Sequence, residues 1–290
     1  MFSKKYEIVE NAPLPISWDD YAKTSYADYL DLLKTHSDDE SAFQSFLEEN
    51  PSFVPGAFEL FGTSGHYPFT QSLIAQPRLN GGIFTRIPDF IWLAQDSLSF
   101  TPVLIEIERP SKKMFNQAGI PSADFTQAFN QITEWKAILS IPENVLQFYN
   151  CFNIPDWIRK KTFAPQFGLI YGRRSEYEKN AFLTQKRAQL AQNDVKIISY
   201  DRLNPDPKCA DLLCSSLAAG KYSVKTIPPT YRYSPALADN FALVDGFDTA
   251  ISKMQCTSPE RKEFLLTRYP YWCEYGQSDR KGIYCPSDRE

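Results

Sequence analysis

Two apolar runs joined by a short polar stretch constrain the fold of this chain more than any other feature. The first run, FTRIPDFIWLA, covers residues 84–94, and the second, SFTPVLIEIE, covers residues 99–108. The polar residues Gln95-Asp96-Ser97 between them are of the length that connects two antiparallel strands. The sequence therefore predicts a β-hairpin whose turn is centred just after Ser97.

Acidic residues interrupt the second run at its end. Residues two apart project from the same face of a strand, so Glu106 and Glu108 point together while Ile105 and Ile107 face the core. The predicted turn places Asp89 opposite Glu106, and side chains so paired have Cβ atoms roughly 5 Å apart. Neighbouring carboxylates repel unless a cation lies between them, and Mg²⁺ and Mn²⁺ favour such oxygen ligands. The hairpin therefore predicts a metal site, and the alternative is a solvated acidic face.

The rest of the chain alternates between helical and strand patterns. We predict helices at about 38–49 (capped by Ser37 or Asp38), 122–140, 175–192 and 209–220, and strands at 166–172 and 195–203. This order predicts an α/β fold with a mixed central β-sheet flanked by helices.

Changes in composition divide the chain into three parts. Residues 1–30 lack clear periodicity and are predicted to form an N-terminal arm, and residues 31–220 hold the main domain. Residues 221–290 are predicted to hold a linker, one helix at about 238–254 and an aromatic, polar tail.

Composition excludes some classes of function. The net charge of -4 argues against binding nucleic acid through bulk charge alone, although basic residues can still gather on one face. The six cysteines form no Cys-x-x-Cys pair, so free thiols in a reducing cytoplasm are expected rather than a zinc site. No apolar run is long enough to cross a bilayer, and the first residues lack the apolar core of a secretion signal. We expect a cytoplasmic protein without a membrane partner.

Six ordered motifs resemble a known nuclease family. They are ESAFQSFLEENP, IPDFIW, LIEIERPSKKMF, FNQITEW, GLIYGRR and IISYDRL, and they span about residues 38–204. Pro88-Asp89 followed by Glu106-Ile107-Glu108 is similar to the Pro-Asp and acid-x-Lys pattern of the PD-(D/E)xK nuclease superfamily. The full set resembles the nuclease domain of the Shedu anti-phage defence family. The resemblance implies a PD-(D/E)xK nuclease-like core that hydrolyses DNA phosphodiester bonds with Mg²⁺ or Mn²⁺.

The resemblance also implies roles for single residues. Glu40, Asp89 and Glu106 match the acids that hold the metal. The residues assigned to catalysis here are Asp89, Glu106, Glu108 and Gln131. Glu108 stands where the family pattern has Lys, and some restriction endonucleases of the superfamily carry Glu there and remain active. Gln131 lies where superfamily members often place a Gln near the site, and an ordinary amphipathic helix is the equal alternative.

Basic residues complete the predicted site. Lys112 or Lys113 could supply the positive charge that Glu108 lacks, and we assign Lys113 to catalysis. The residues assigned to nucleic-acid binding, through contacts to phosphates, are Arg109, Lys112, Arg173 and Arg174.

Two hypotheses of function follow. The first is a metal-dependent deoxyribonuclease that acts on DNA, expected as a homo-oligomer. The second is a degenerate nuclease fold that binds nucleic-acid ends or a partner protein without cutting, which the missing motif lysine and the acidic net charge favour.

Overall fold

A computed structural model describes residues 5–58, 66–77, 87–278 and 284–290 of the chain. Residues 84–86 of the first predicted strand lie outside the described residues. The helices are α1 (Trp18–Thr35), α2 (Glu40–Glu49), α3 (Ala123–Leu139), α4 (Pro142–Cys151), α5 (Asp156–Arg159), α6 (Ala181–Leu190), α7 (Ala238–Leu243), α8 (Phe247–Lys253) and α9 (Pro259–Gln277). The strands are β1 (Tyr67–Pro68), β2 (Ser72–Ala75), β3 (Phe90–Gln95), β4 (Ser99–Ile107), β5 (Thr162–Phe163), β6 (Gln166–Ile170), β7 (Val195–Ile198), β8 (Leu213–Ala218), β9 (Lys221–Thr226) and β10 (Val244–Asp245).

One mixed sheet organises the described part of the chain. Its strand order is β10-β9-β8-β2-β3-β4-β6-β7, with β1 added beside β3 and β5 beside β4. Strand β4 pairs antiparallel with β3 and parallel with β6, which in turn pairs parallel with β7. The carboxyl ends of β4, β6 and β7 therefore lie along the same edge of the sheet. The predicted α/β class with a mixed sheet flanked by helices is confirmed.

Hydrophobic cores cover both faces of the sheet. On one face, α1 and α2 contribute Tyr29 and Phe43 to a core that also holds Ile105 of β4. On the other face, α3 contributes Trp135 to a larger core that holds Leu104 of β4. The alternation of Leu104 and Ile105 between two cores makes β4 a fully buried strand, which explains its nearly continuous apolar sequence.

The hairpin is formed in the predicted register. Phe90 pairs with Ile105, and the pairing continues to Gln95 and Phe100 at the turn. The Asp96 carboxylate closes the turn by accepting the backbone N–H group of Ser99 at 2.6 Å. The predicted helix at 122–140 is also confirmed as α3, whose cap is the predicted Ser122.

Helix α2 starts later than predicted. It begins at Glu40, and its cap is Asp39 rather than Ser37 or Asp38. The Asp39 carboxylate accepts the backbone N–H group of Ser41 at 3.0 Å. This pattern satisfies the first free N–H groups of the helix, which is the function of a cap.

The predicted helix at 209–220 is wrong. Residues Leu213–Ala218 form β8, which pairs with β2 on one side and with β9 on the other. Most of this strand is buried, so its sequence shows no alternation between polar and apolar residues that would mark a strand. Pairing with distant strands overrides the helix-favouring leucines and alanines.

Three other helical regions differ from prediction. The predicted helix at 175–192 is a 3₁₀ turn at Arg174–Glu176 followed by α6. The predicted helix at 238–254 is divided into α7 and α8 by the short strand β10 and by Gly246, whose φ of 84° lies in the left-handed region. Helix α9 was not predicted, because Pro270 inside it interrupts the helical pattern.

The ends of the chain add to the central structure. Strands β8 and β9 pair on either side of Gly220, so the predicted boundary at residue 220 falls inside a β-hairpin. Helix α1 (Trp18–Thr35) crosses the predicted boundary between the arm, residues 1–30, and the main domain. Its cap is Ser17, whose side chain accepts the N–H group of Asp20. In the described ranges, no helix combines the length and apolar character needed to cross a membrane.

Candidate active site

The hairpin brings Asp89 to the end of β4. The Asp89 carboxylate accepts the backbone N–H group of Ile107 at 2.9 Å, and the Asp89 carbonyl accepts the N–H group of Gln76. Asp89 is thus held between two neighbouring segments at the edge of the sheet. This position follows directly from the predicted register, since the residue after Asp89 pairs with the residue before Glu106.

Glu106 is buried and bound by a glutamine of α3. The Gln131 amide donates to the Glu106 carboxylate at 2.8 Å, and only 7% of the Glu106 surface is exposed. The structure therefore places Gln131 against one of the predicted site acids. The contact orients the Glu106 carboxylate, because the helix that carries Gln131 is anchored in the core by Ile132 and Trp135.

Glu108 follows the last residue of β4 and turns toward α2. Its backbone N–H group donates to the Ile170 carbonyl at 3.0 Å, which continues the pairing with β6 for one more residue. Its carboxylate pairs with the ammonium of Lys112. Burial raises the pKa of Glu40, and so do the negative charge of Glu108 and a side-chain hydrogen bond with it. Glu40 and Glu108 therefore meet although they belong to α2 and to the end of β4.

The negative charges of Glu40 and Glu108 also affect the pKa of Asp89. The pKa of Asp89 is raised from 3.8 to about 7, chiefly by burial and with a contribution from the negative charges of Glu40 and Glu108, while the hydrogen bond from the Ile107 N–H group opposes the rise. The phenol of Tyr200 is fully buried, and the charges of the same three acids add to burial in raising its pKa. Glu40, Asp89 and Glu108 thus form one interacting group, which we call the acid cluster.

The acid cluster offers the donor atoms that a divalent cation requires. Carboxylate oxygens are the preferred ligands of Mg²⁺ and Mn²⁺, and a bound cation would offset both the burial of the Asp89 carboxylate and its repulsion by Glu40 and Glu108. Within the described ranges, no three His, Cys, Asp or Glu side chains are arranged closely enough to hold a metal ion. The residues fit the metal by donor type, and the assignment of Glu40, Asp89 and Glu106 as its ligands stays a prediction.

Of the two candidate lysines, Lys112 is the one at the acids. Its ammonium contacts Glu108, whereas the side chain of Lys113 is exposed and makes no ion pair with the residues that the structure describes. The Lys113 carbonyl instead accepts the hydroxyl of Ser122 at 2.7 Å. The assignment of Lys113 to catalysis stays a prediction, and the geometry favours Lys112 as the source of positive charge.

The loop that carries Lys112 is fixed by two residues that sequence reasoning missed. The Glu176 carboxylate accepts the backbone N–H groups of Met114 and Phe115 at 2.9 and 2.7 Å. Gly172 has a φ of 60°, and a Cβ atom there would lie 2.8 Å from the Lys112 carbonyl oxygen. A glycine at the end of a predicted strand can indicate that another backbone segment approaches closely, so Gly172 could have been found from the sequence. Nothing in the local sequence marks Glu176 as different from other surface acids.

The predicted phosphate-binding arginines have different surroundings. Arg109 pairs with Asp38 at 3.0 Å, and Arg173 pairs with Asp201 at 2.8 Å. Arg174 has an exposed side chain, and its backbone N–H group donates to Asp201. Arg109 and Arg173 thus already have carboxylate partners, and Arg174 keeps its charge available. Their contacts with nucleic acid stay predictions.

Comparison with known proteins identifies the family. The chain matches none of the curated proteins compared with it. Residues 37–204, more than half of the chain, match the family described as Shedu protein SduA, C-terminal. The match begins just before α2 and ends just after a 3₁₀ turn at Tyr200–Arg202, so it contains every residue of the acid cluster. The chain therefore belongs to the Shedu family, and this membership suggests a part in anti-phage defence.

Proposed function

We propose that this protein is a Mg²⁺- or Mn²⁺-dependent nuclease that hydrolyses DNA phosphodiester bonds in anti-phage defence. The observation that carries the proposal is the acid cluster, in which three carboxyl groups from separate elements interact at one edge of the sheet. Buried like charges cost free energy, and such an arrangement is typical of a functional site rather than a structural one. Membership of the Shedu family supports the same function.

The proposed mechanism assigns a task to each side chain. A bound Mg²⁺ would lower the pKa of the attacking water and stabilise the leaving oxygen. Glu40, Asp89 and Glu106 would hold this ion through carboxylate oxygens. The Ile107 N–H group keeps Asp89 in place, and Gln131 keeps Glu106 in place.

Glu108 and Lys112 act as a pair beside the ligands. The Lys112 ammonium neutralises Glu108 in the metal-free protein. In the proposed nuclease it would meet the phosphate that undergoes attack. Glu108 would then be free to accept a proton from the attacking water, since a carboxylate within hydrogen-bond reach of water can act as a general base.

Binding without cleavage is the second candidate function. Glu108 at the motif-lysine position favours it, as does the absence of a formed three-ligand centre in the part of the chain that the structure describes. In this case the acid cluster would be a remnant of a nuclease site, and the protein would hold nucleic-acid ends or a partner protein.

A cleavage assay distinguishes the two functions. Purified protein is incubated with linear and circular duplex DNA in Mg²⁺, in Mn²⁺ and in chelator, beside Asp89→Ala and Asp31→Ala. Asp31 is an exposed acid of α1, so its variant controls for the loss of one carboxylate. We expect cleavage in either metal by the wild type and by Asp31→Ala, and none by Asp89→Ala. DNA binding without cleavage in both metals would reject the nuclease and support the second function.

A further inference from the structure

A second charged group lies on the same sheet edge as the acid cluster. Arg174 follows β6, Arg202 follows β7, and Arg187 comes from α6. Together with Ser199 they line a cavity of about 320 Å³. We call this cavity the arginine pocket. Sequence reasoning singled out Arg174 alone, because the other residues are brought together only by the fold.

The arginine pocket carries more positive than negative charge, since three arginines and one glutamate line it. In the described part of the chain, none of its three arginines forms a salt bridge, although the neighbouring Arg173 is paired with Asp201. Burial lowers the pKa of Arg187, and the positive charges of Arg202 and Arg174 lower it further while Tyr177 opposes them. The only acid among the lining residues that the structure describes is Glu178, which is exposed. Three guanidinium groups that repel one another favour the binding of an anion.

Two hydrogen-bond donors of the pocket, on Arg187 and Ser199, have no acceptor in the described structure. One terminal nitrogen of Arg187 donates to the Ile197 carbonyl at 2.6 Å, and its guanidinium lies 5.0 Å from the ring centre of Tyr177. These contacts fix the guanidinium, yet its buried Nε has no partner in the described structure. The Ser199 hydroxyl, in a residue that is 1% exposed, likewise has no partner there. An anion bound in the pocket would give these buried donors the acceptors that they lack.

We propose that the arginine pocket binds a phosphate group, and that this group belongs to the backbone of the bound DNA. Guanidinium forks and a hydroxyl are the donors that suit a phosphate with its several oxygens. Strands β4, β6 and β7 are consecutive in the sheet, so the ends of β4 and β7 lie two strand spacings, or roughly 10 Å, apart. One nucleotide advances about 3.4 Å along duplex DNA, so the pocket lies about three nucleotides from the acid cluster.

The two parts of this proposal depend on different premises. Phosphate binding follows from the charges and donors of the pocket alone. The assignment of the phosphate to DNA rests on the proposed nuclease function. A free phosphate-bearing molecule is the other source of the same chemistry, and the experiments below separate the two.

The first experiment measures the binding of inorganic phosphate by calorimetry in chloride buffer of matched ionic strength. The variants are Arg187→Gln and Arg202→Gln, with Lys160→Gln as a control for the loss of one positive charge. Lys160 is exposed and lies near β5, which pairs with the beginning of β4 at the opposite edge of the sheet. We expect the wild type and Lys160→Gln to bind phosphate alike, and each arginine variant to bind at least tenfold more weakly.

The second experiment measures the affinity for a short DNA duplex in chelator over a series of salt concentrations. Each phosphate contact contributes about 0.9 to the slope of log affinity against log salt concentration. We expect the slope to fall by about this amount in Arg202→Gln and to remain unchanged in Lys160→Gln. Arg202 is exposed and donates no side-chain hydrogen bond in the described structure, so its variant should fold even if Arg187→Gln does not.

The outcomes separate the pocket from the nuclease. Loss of phosphate binding with an unchanged DNA slope would overturn the DNA assignment and leave a free phosphate-bearing ligand. Phosphate binding that requires the arginines, in a protein that binds no DNA, would reject the proposed function and support the pocket. Wild-type affinity for both phosphate and DNA in folded Arg202→Gln would overturn the proposal.

Discussion

Asp89 should make the metal-free protein less stable as the pH rises. Its pKa is raised from 3.8 to about 7, first by burial and then by the negative charges of Glu40 and Glu108. A carboxyl group with a raised pKa in the folded state keeps its proton longer there than in the unfolded chain. Its contribution to stability is therefore full below about pH 4, the ordinary range of an aspartate, and is lost as the pH rises through 7.

The magnitude follows from the two pKa values. One pKa unit corresponds to about 1.36 kcal/mol, so a rise from 3.8 to about 7 costs at most about 4 kcal/mol of unfolding free energy at pH 8. Asp89→Asn cannot ionise, and its amide oxygen can still accept the Ile107 N–H group. The variant should therefore match the wild type near pH 4 and exceed its stability at pH 8 by up to about 4 kcal/mol.

Urea unfolding at a series of pH values between 4 and 8, in chelator, measures this effect. Asp31→Asn makes the same chemical change at an exposed position of α1 and should keep the pH dependence of the wild type. Saturating Mg²⁺ at pH 8 should stabilise the wild type, because an ion that binds only the folded state shifts the equilibrium toward it. It should stabilise Asp89→Asn much less.

Two results would refute this reasoning. Parallel stability profiles of Asp89→Asn and the wild type across the whole pH range would show that Asp89 titrates normally. A variant that is less stable than the wild type at pH 8 would show that the ionised carboxylate is favourable in the fold. Either result would remove the electrostatic argument for the acid cluster.

Three further predictions concern the loop beside the site and a buried ion pair elsewhere in the fold. Lys112→Gln should lower DNA cleavage about tenfold, equivalent to about 1.4 kcal/mol, in a steady-state assay, and an unchanged rate would show that its charge is not used. Gly172→Ala should destabilise the fold by more than the roughly 1–2 kcal/mol that an alanine pays for a left-handed conformation, because its Cβ would also meet a backbone oxygen. Gly220→Ala, at positive φ but with ordinary contacts, is the control, and thermal melts measure both variants. Arg261→Met should cost up to about 3–5 kcal/mol in urea unfolding, since the buried Glu290 carboxylate loses its 2.7 Å partner and keeps only Arg232 at 3.2 Å, and a loss below 1 kcal/mol would contradict this.

Local signals were enough to predict the hairpin and its register. The strands flank a short turn, and the Asp96 side chain binds the turn backbone within three residues. Such contacts are encoded by neighbouring residues, so Asp89 and Glu106 could be placed on facing strands from the sequence. The contact of Gln131 with Glu106 joins one helix to the preceding strand and was also within reach of this reasoning.

Contacts between residues far apart in the chain determine the features that could not be predicted from the sequence. Strand β8 exists because Leu213 pairs with Ser72, far away along the chain, and no local pattern encodes that choice. The arginine pocket depends likewise on the docking of α6 beside β7, which brings Arg187 to Arg202. In both cases the energy comes from tertiary packing, which overrides or ignores local propensity.

At position 108 the family pattern has a lysine and this chain has a glutamate, but a positive charge is still present nearby, on a different residue. The motif would place a lysine at the end of the strand, whereas here Glu108 directly follows β4 and the ammonium comes from Lys112 in the following loop. That loop is held by the Glu176 carboxylate and by its close approach to Gly172, so the ammonium has a defined location. A positive charge beside the acids is therefore preserved in space although it is absent from the motif. Because electrostatic stabilisation depends on where a charge lies and not on its place in the sequence, this arrangement supports a competent site over a degenerate one.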